Sequence, residues 1–209
     1  MQISLPLAPG LRYHVLKVQA LLLLAAGKRA AALGRLARML CLRPGDPYAL
    51  ASRGHVEAQL HLTKEAIATL RQLTAARPQQ AAGWFNLGYV LQQDGRHEEA
   101  GPAFERALAL DPRLDRAWYG LALVRIHQQR WREAGEALER NTALQPLGPH
   151  GWYRLAQVWL ALGEAGKARK VIAHLRCFEP RVAVQLEREN AAALQASRAV
   201  TSEASHAAC

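Results

Sequence analysis

The sequence predicts an all-α solenoid of five stacked helix-turn-helix hairpins with one further helix capping the C-terminal end. Three observations predict it. Prolines fall at Pro44, Pro78, Pro112, Pro146 and Pro180, each 34 residues after the last. Alanines at Ala32, Ala66, Ala100, Ala134 and Ala168 keep the same interval. Inside each interval two runs of helical periodicity stand either side of a breaker, and no alternating run reads as a strand. A fixed period of about 20–50 residues marks an array whose units bury their apolar faces against one another.

The period divides the chain into windows 13–46, 47–80, 81–114, 115–148 and 149–182 without an insertion. Residues 1–12 are an N-terminal extension. In window one the run "VQALLLLAAGKR" (18–29) competes as a signal peptide. It is shorter than the roughly 20 apolar residues that span a bilayer, and Lys28-Arg29 follow it. Val18 to Ala26 is therefore read as first helix, with Ala20 at the close-packing position and Gly27 as breaker. Window two keeps the phase with Leu50 where later windows carry Trp. In window three Trp84, Leu87, Gly88 and Leu91 share one helical face, and Ala100, Phe104, Ala107 and Leu108 share a face of the next helix. Gly95 breaks between them. Gly101-Pro102 falls early in that second helix, where proline is tolerated with a slight bend. Window four repeats Trp118, Leu121-Ala122 and Ala134; window five repeats Trp152, Leu155-Ala156, Gly163 and Ala168. Each second helix ends before its proline, whose ring and missing N–H stop it. Residues 183–200 form a capping helix, with Glu189 and Asn190 where another repeat would need Leu and Gly. The tail 201–209 lacks periodicity and reads as disordered.

These residues resemble the tetratricopeptide repeat. Window three, "AAGWFNLGYVLQQDGRHEEAGPAFERALALDPRL", carries the family's Trp, Leu-Gly, Ala, Phe, Ala and Pro at their spacings. The resemblance covers 13–182, and windows one and two are the more degenerate. It implies a right-handed superhelix whose first helices line a concave side where peptides bind.

The bulk properties fit that class. About half the residues are apolar and 21% are charged, the balance of a globular protein. Heavy use of Ala, Leu and Arg is the habit of a GC-rich bacterial genome. Cys41, Cys177 and Cys209 lie far apart with no ligand spacing, which reads as reduced cytoplasmic thiols. Enzyme chemistry has no foothold: there is no phosphate-binding loop and no nucleophile setting. Glu98-Glu99 near a helix start suit its dipole. None of the eight histidines forms an i, i+4 pair, so neither metal nor cofactor is expected.

Binding is what remains. Removing the packing stripe from window three leaves Phe85, Tyr89, Gln92 and Gln93 on another face, with Asn86 beside them. Equivalent positions are Tyr48 and His55 in window two. Window four supplies Arg116, Tyr119, Leu123 and His127, and window five His150, Tyr153, Arg154 and Gln157. Phe85, Tyr119 and Tyr153 recur at one position of three windows. They form either an aromatic ladder for a partner or packing against the neighbouring repeat. Chaperone-binding members of the family use a carboxylate clamp of Lys and Asn, then Asn, then Lys and Arg. Starting at window two the matching positions hold Ala51 and His55, then Asn86, then Arg116 and Gly120; starting at window three they hold Phe85 and Tyr89, then Gly120, then His150 and Arg154, so neither completes that mode. The expected partner is another protein or peptide with apolar and acidic groups.

Charge offers a second class. The net charge is +10. Residues 1–46 hold seven basic groups and one acidic, and window three is net negative. Lys28, Arg29, Arg35 and Arg38 cluster at one end; Lys167, Arg169, Lys170 and Arg176 cluster at the other. Such ends suit electrostatic docking on nucleic acid or an anionic membrane. No aromatic platforms sit among them for reading bases.

Overall fold

The computed structural model describes residues 8–192 and 194, and among these there are eleven α-helices and no strand. The all-α expectation holds. The chain divides into two compact units, one ending at Leu110 and one beginning at Asp111.

In the first unit α1 (Pro9–Ala25) packs on α2 (Arg29–Leu42), α3 (Pro47–Gln59) on α4 (Thr63–Ala76), and α5 (Ala81–Gln93) on α6 (His97–Leu110). Across consecutive pairs α2 lies on α3 and α4 on α5. In the second unit α7 (Asp115–His127) packs on α8 (Trp131–Leu144), α8 on α9 (Pro149–Ala161), and α9 on α10 (Ala165–Phe178). The last helix, α11 (Pro180–Glu189), touches both α10 and α9.

Small residues set how closely the helices approach. All five periodic alanines, Ala32, Ala66, Ala100, Ala134 and Ala168, have no exposed surface. On the first helices Ala20, Ala122 and Ala156 are equally buried. Gly88 takes the same position in α5, where an added Cβ would lie 3.0 Å from two ring carbons of Phe104. Gly151 is tighter still: a Cβ there would meet the side-chain oxygen of Asn141 at 2.2 Å. That buried Asn141 amide donates to the Asp115 carbonyl at 2.9 Å, tying α8 to the start of α7.

The prolines do more than stop helices. Trp84, Trp118 and Trp152 donate their indole N–H to the carbonyls of Pro78, Pro112 and Pro146, each at 2.9 Å. The 34-residue beat thus repeats one hydrogen bond that anchors a first helix to the turn before it. Pro180 behaves differently: no turn follows it, and it starts α11 directly. The capping helix therefore begins three residues before the expected 183. α11 ends at Glu189 and a turn falls at Asn190, after which Ala191, Ala192 and Leu194 are helical again. The expectation for 201–209, and for the end of that helix, lies outside the described residues. At the other end α1 starts at Pro9, so 9–12 are helical rather than extension. Pro102 sits inside α6, past its first turn, and the helix runs through it to Leu110.

Each hairpin turns through a residue in the left-handed region. Gly27, Gly95 and Gly163 have φ of +70°, +76° and +75°. One period on, His61 and Gln129 hold φ of 58° without glycine's freedom. A side chain there crowds its own backbone, costing about 1–2 kcal/mol. Gln129→Gly is therefore expected to raise stability by up to about 1 kcal/mol, read as a higher urea midpoint with unchanged slope.

No described helix is long and apolar enough to cross a membrane. Cys41 and Cys177 are free and exposed.

Candidate partner-binding site

The selected positions fall in both units, and their surroundings differ. In the first unit a cleft of about 270 Å³ opens between α3 and α5. Gly54, His55, Ala58 and Gln59 line it from α3, Asn86, Tyr89 and Val90 from α5, and Leu70 from α4. Gly54 lets Leu70 reach the cleft, since a Cβ there would come within 2.8 Å of Leu70 Cγ. Leu70 and Val90 are buried, while Tyr89 is half exposed. Three sequence-selected residues, His55, Asn86 and Tyr89, therefore share one site.

A polar relay orients the α3 wall. Arg29 Nε donates to Gln59 Oε1 at 2.7 Å, and Gln59 Nε2 lies 2.9 Å from His55 Nε2. With its oxygen turned to Arg29, the Gln59 amide presents its N–H to His55. His55 Nε2 is then the acceptor. No carboxylate lines the cleft, and the charge behind its wall is a guanidinium.

The other candidates differ in their surroundings. Phe85 is half-buried, its ring centroid 6.1 Å from Phe104 and 6.4 Å from Tyr89. Tyr48 packs on the N-terminal core, with the Lys17 ammonium 4.3 Å above its ring. Gln92 is half-buried and Gln93 exposed. In the second unit Tyr119 and Tyr153 pack against the core around Leu138 and Trp159. Tyr153 donates its hydroxyl to Glu189 of α11 at 3.0 Å. Its pKa is raised, first by burial and then by that carboxylate. Arg154 donates to Gln157 at 2.9 Å. Arg116, His127 and His150 are exposed and Leu123 is half-buried.

The basic clusters are partly committed to the fold. Arg169 donates to the Leu194 carbonyl at 3.1 Å, and Arg176 pairs with Glu187 of α11. Lys167 stands 4.2 Å over the Trp159 ring, whereas Lys170 is exposed. In the other cluster Arg29 serves the relay and Arg35 is half-buried, with its Nε enclosed and unbonded. Lys28 and Arg38 are exposed. Sequence reasoning missed Gln59, which carries no charge and sits off the aromatic positions. It also missed Glu57, a 2% exposed carboxylate bonded to Arg53 and Thr69.

Models of the tetratricopeptide repeat match residues 52–115 and 91–152. No match is found among curated proteins. Among solved structures, the chain is similar to MamA from Desulfovibrio magneticus RS-1. The two are 21% identical, with a TM-score of 0.74 over 87% of this chain and 98% of that one. It is similar to YrrB, described as a TPR protein with an unusual peptide-binding site. Here identity is 19% and the TM-score 0.71, over 81% and 88% of the two chains. It is also similar to PilF of Pseudomonas aeruginosa, at 22% identity and a TM-score of 0.67 over 91% and 98%. At these identities the likeness shows the fold, a helical solenoid.

Proposed function

The chain belongs to the tetratricopeptide repeat family through residues 52–152, and from that premise we propose that it is a non-catalytic adaptor. It binds a segment of another protein through first-helix positions of its units. The observation that carries this reading is the α3–α5 cleft, which gathers His55, Asn86 and Tyr89 over a floor of Leu70 and Val90. At about 270 Å³ it lies under the ~300–1,000 Å³ typical of small-molecule pockets. It suits one or two side chains of an extended peptide. Tyr89 buries area at low entropic cost, and the Asn86 amide can pair with a peptide bond or a carboxylate. The cation behind the wall and the lack of carboxylates favour an apolar segment with acidic neighbours. In the second unit Arg116, Tyr119, Leu123, His127 and His150 present that unit's own share of first-helix positions.

Peptides selected from a displayed random library against the full chain test this reading. Tyr89→Ala combined with Asn86→Ala is expected to weaken their binding at least about tenfold. Raising salt from about 50 to 200 mM should change it by less than about threefold, because few ions are released. The rival reading, electrostatic docking on nucleic acid or an anionic surface, makes the opposite forecast. If Lys28→Glu with Arg38→Glu abolishes binding and the cleft variant leaves it intact, the adaptor reading fails. Those two cations are chosen because they are exposed, whereas Arg35 is half-buried.

A further inference from the structure

The outer face of α1 carries an apolar strip that the described residues leave exposed. Leu11, Val15, Val18 and Leu22 follow one another at helical spacing and are 54%, 37%, 55% and 65% exposed. The inner face, Tyr13, Leu16 and Ala20, is buried against α2 and α3.

The repeat itself says what the strip is. One period on, Val15 and Leu22 become Ala49 and Val56 of α3, which are 0% and 1% exposed beside α2. Two periods on, Leu22 becomes Val90 of α5, 5% exposed beside α4; four periods on, it becomes Val158 of α9, 1% exposed beside α8. Those positions meet the second helix of the preceding repeat. In α1 they keep their apolar character, and no described helix precedes it.

Charge selects the occupant. There is no acidic residue before Asp46, while Arg12, Lys28 and Arg38 are exposed. A second copy would bring one basic end against another. A membrane-seated strip is expected to carry aromatic anchors. This strip has no aromatic residue. We propose that α1 is a docking strip for an amphipathic helix of another protein, flanked by carboxylates, which seats where a preceding repeat's second helix would lie.

A helix from this chain supplies the probe. A fluorescent peptide of residues 131–144, the sequence of α8, carries Glu133, Glu136 and Glu139 and covers the equivalent face of α9. It is expected to bind the full chain at about 50 mM salt and to weaken as ionic strength rises. Leu22→Glu should reduce that binding roughly tenfold or more, as should reversing the three peptide glutamates to lysine. The cleft variant Tyr89→Ala with Asn86→Ala should leave it unchanged, which separates this strip from the proposed peptide cleft. Leu22 is largely exposed, so helicity by circular dichroism should be unaltered in Leu22→Glu. Absence of peptide binding, or binding that survives Leu22→Glu, overturns the proposal. So does self-association of the chain that Leu22→Glu abolishes, or sedimentation with phosphatidylserine-containing vesicles that Leu22→Glu abolishes.

Discussion

Phe104→Ala is expected to destabilise the first unit by about 3–5 kcal/mol, a large fraction of the roughly 5–15 kcal/mol that holds a typical domain together. The ring is fully buried between α5 and α6. It faces Gly88 on one side, where an added Cβ would lie 3.0 Å away, and supports Phe85 on another. Because Gly88 has no side chain to fall into the void, the cavity collapses poorly, and the cost belongs in the upper part of the range. Urea unfolding should show a lower midpoint with an unchanged slope. A second substitution tests the cause. In the native background Gly88→Ala pushes a Cβ against the ring and should destabilise. In the Phe104→Ala background the same Cβ enters empty space and gains about 1 kcal/mol of helix propensity, so its effect should reverse sign. Equal effects in both backgrounds would mean that the ring is not what excludes a side chain at position 88. Phe85 leans on Phe104, and Tyr89 on Phe85, so the cleft wall should also loosen and peptide affinity fall with stability.

The architecture was legible because it repeats. A Pro and an Ala returning every 34 residues state where helices end and where they touch, and the buried alanines answer that pattern one by one. The turns were legible only at Gly27, Gly95 and Gly163. His61 and Gln129 adopt the same left-handed backbone with residues that announce nothing, because the hairpin geometry overrides local preference. Part of the cleft was legible too: His55 and Tyr89 are one period apart, so the phase alone puts them on neighbouring helices. Gln59 was not, since its role depends on Arg29 reaching it from another helix. The two basic clusters look alike in sequence, yet Arg176 is taken up by Glu187 of α11 and Arg169 by the Leu194 carbonyl beyond it, and no periodicity fixes either partner. Phe85 and Tyr153 likewise show that an aromatic off the packing stripe of its own helix can be claimed by a neighbour.

Glu57 is where the repeat departs from its own rule, and there the chain supplies its own control. The carboxylate accepts from Arg53 Nε at 2.6 Å and from the Thr69 hydroxyl at 2.7 Å. One period on, the same three positions are Leu87, Leu91 and Ala103, all buried. Glu57→Ala removes the acceptor, strands the buried Thr69 hydroxyl and leaves a void. Because Arg53 is 36% exposed and can turn to water, the expected loss is about 2–3 kcal/mol rather than that of a fully enclosed pair. Removing the whole triad should behave otherwise. Arg53→Leu, Glu57→Leu and Thr69→Ala together install the neighbouring repeat's own apolar packing and release the desolvation cost of the carboxylate. That triple variant is expected to match or exceed the native urea midpoint, since buried ion pairs replaced by well-packed apolar groups are often neutral or stabilising. A triple variant less stable than Glu57→Ala would show that the α3–α4 interface differs in shape from α5–α6. The polar triad would then be the only packing that interface accepts.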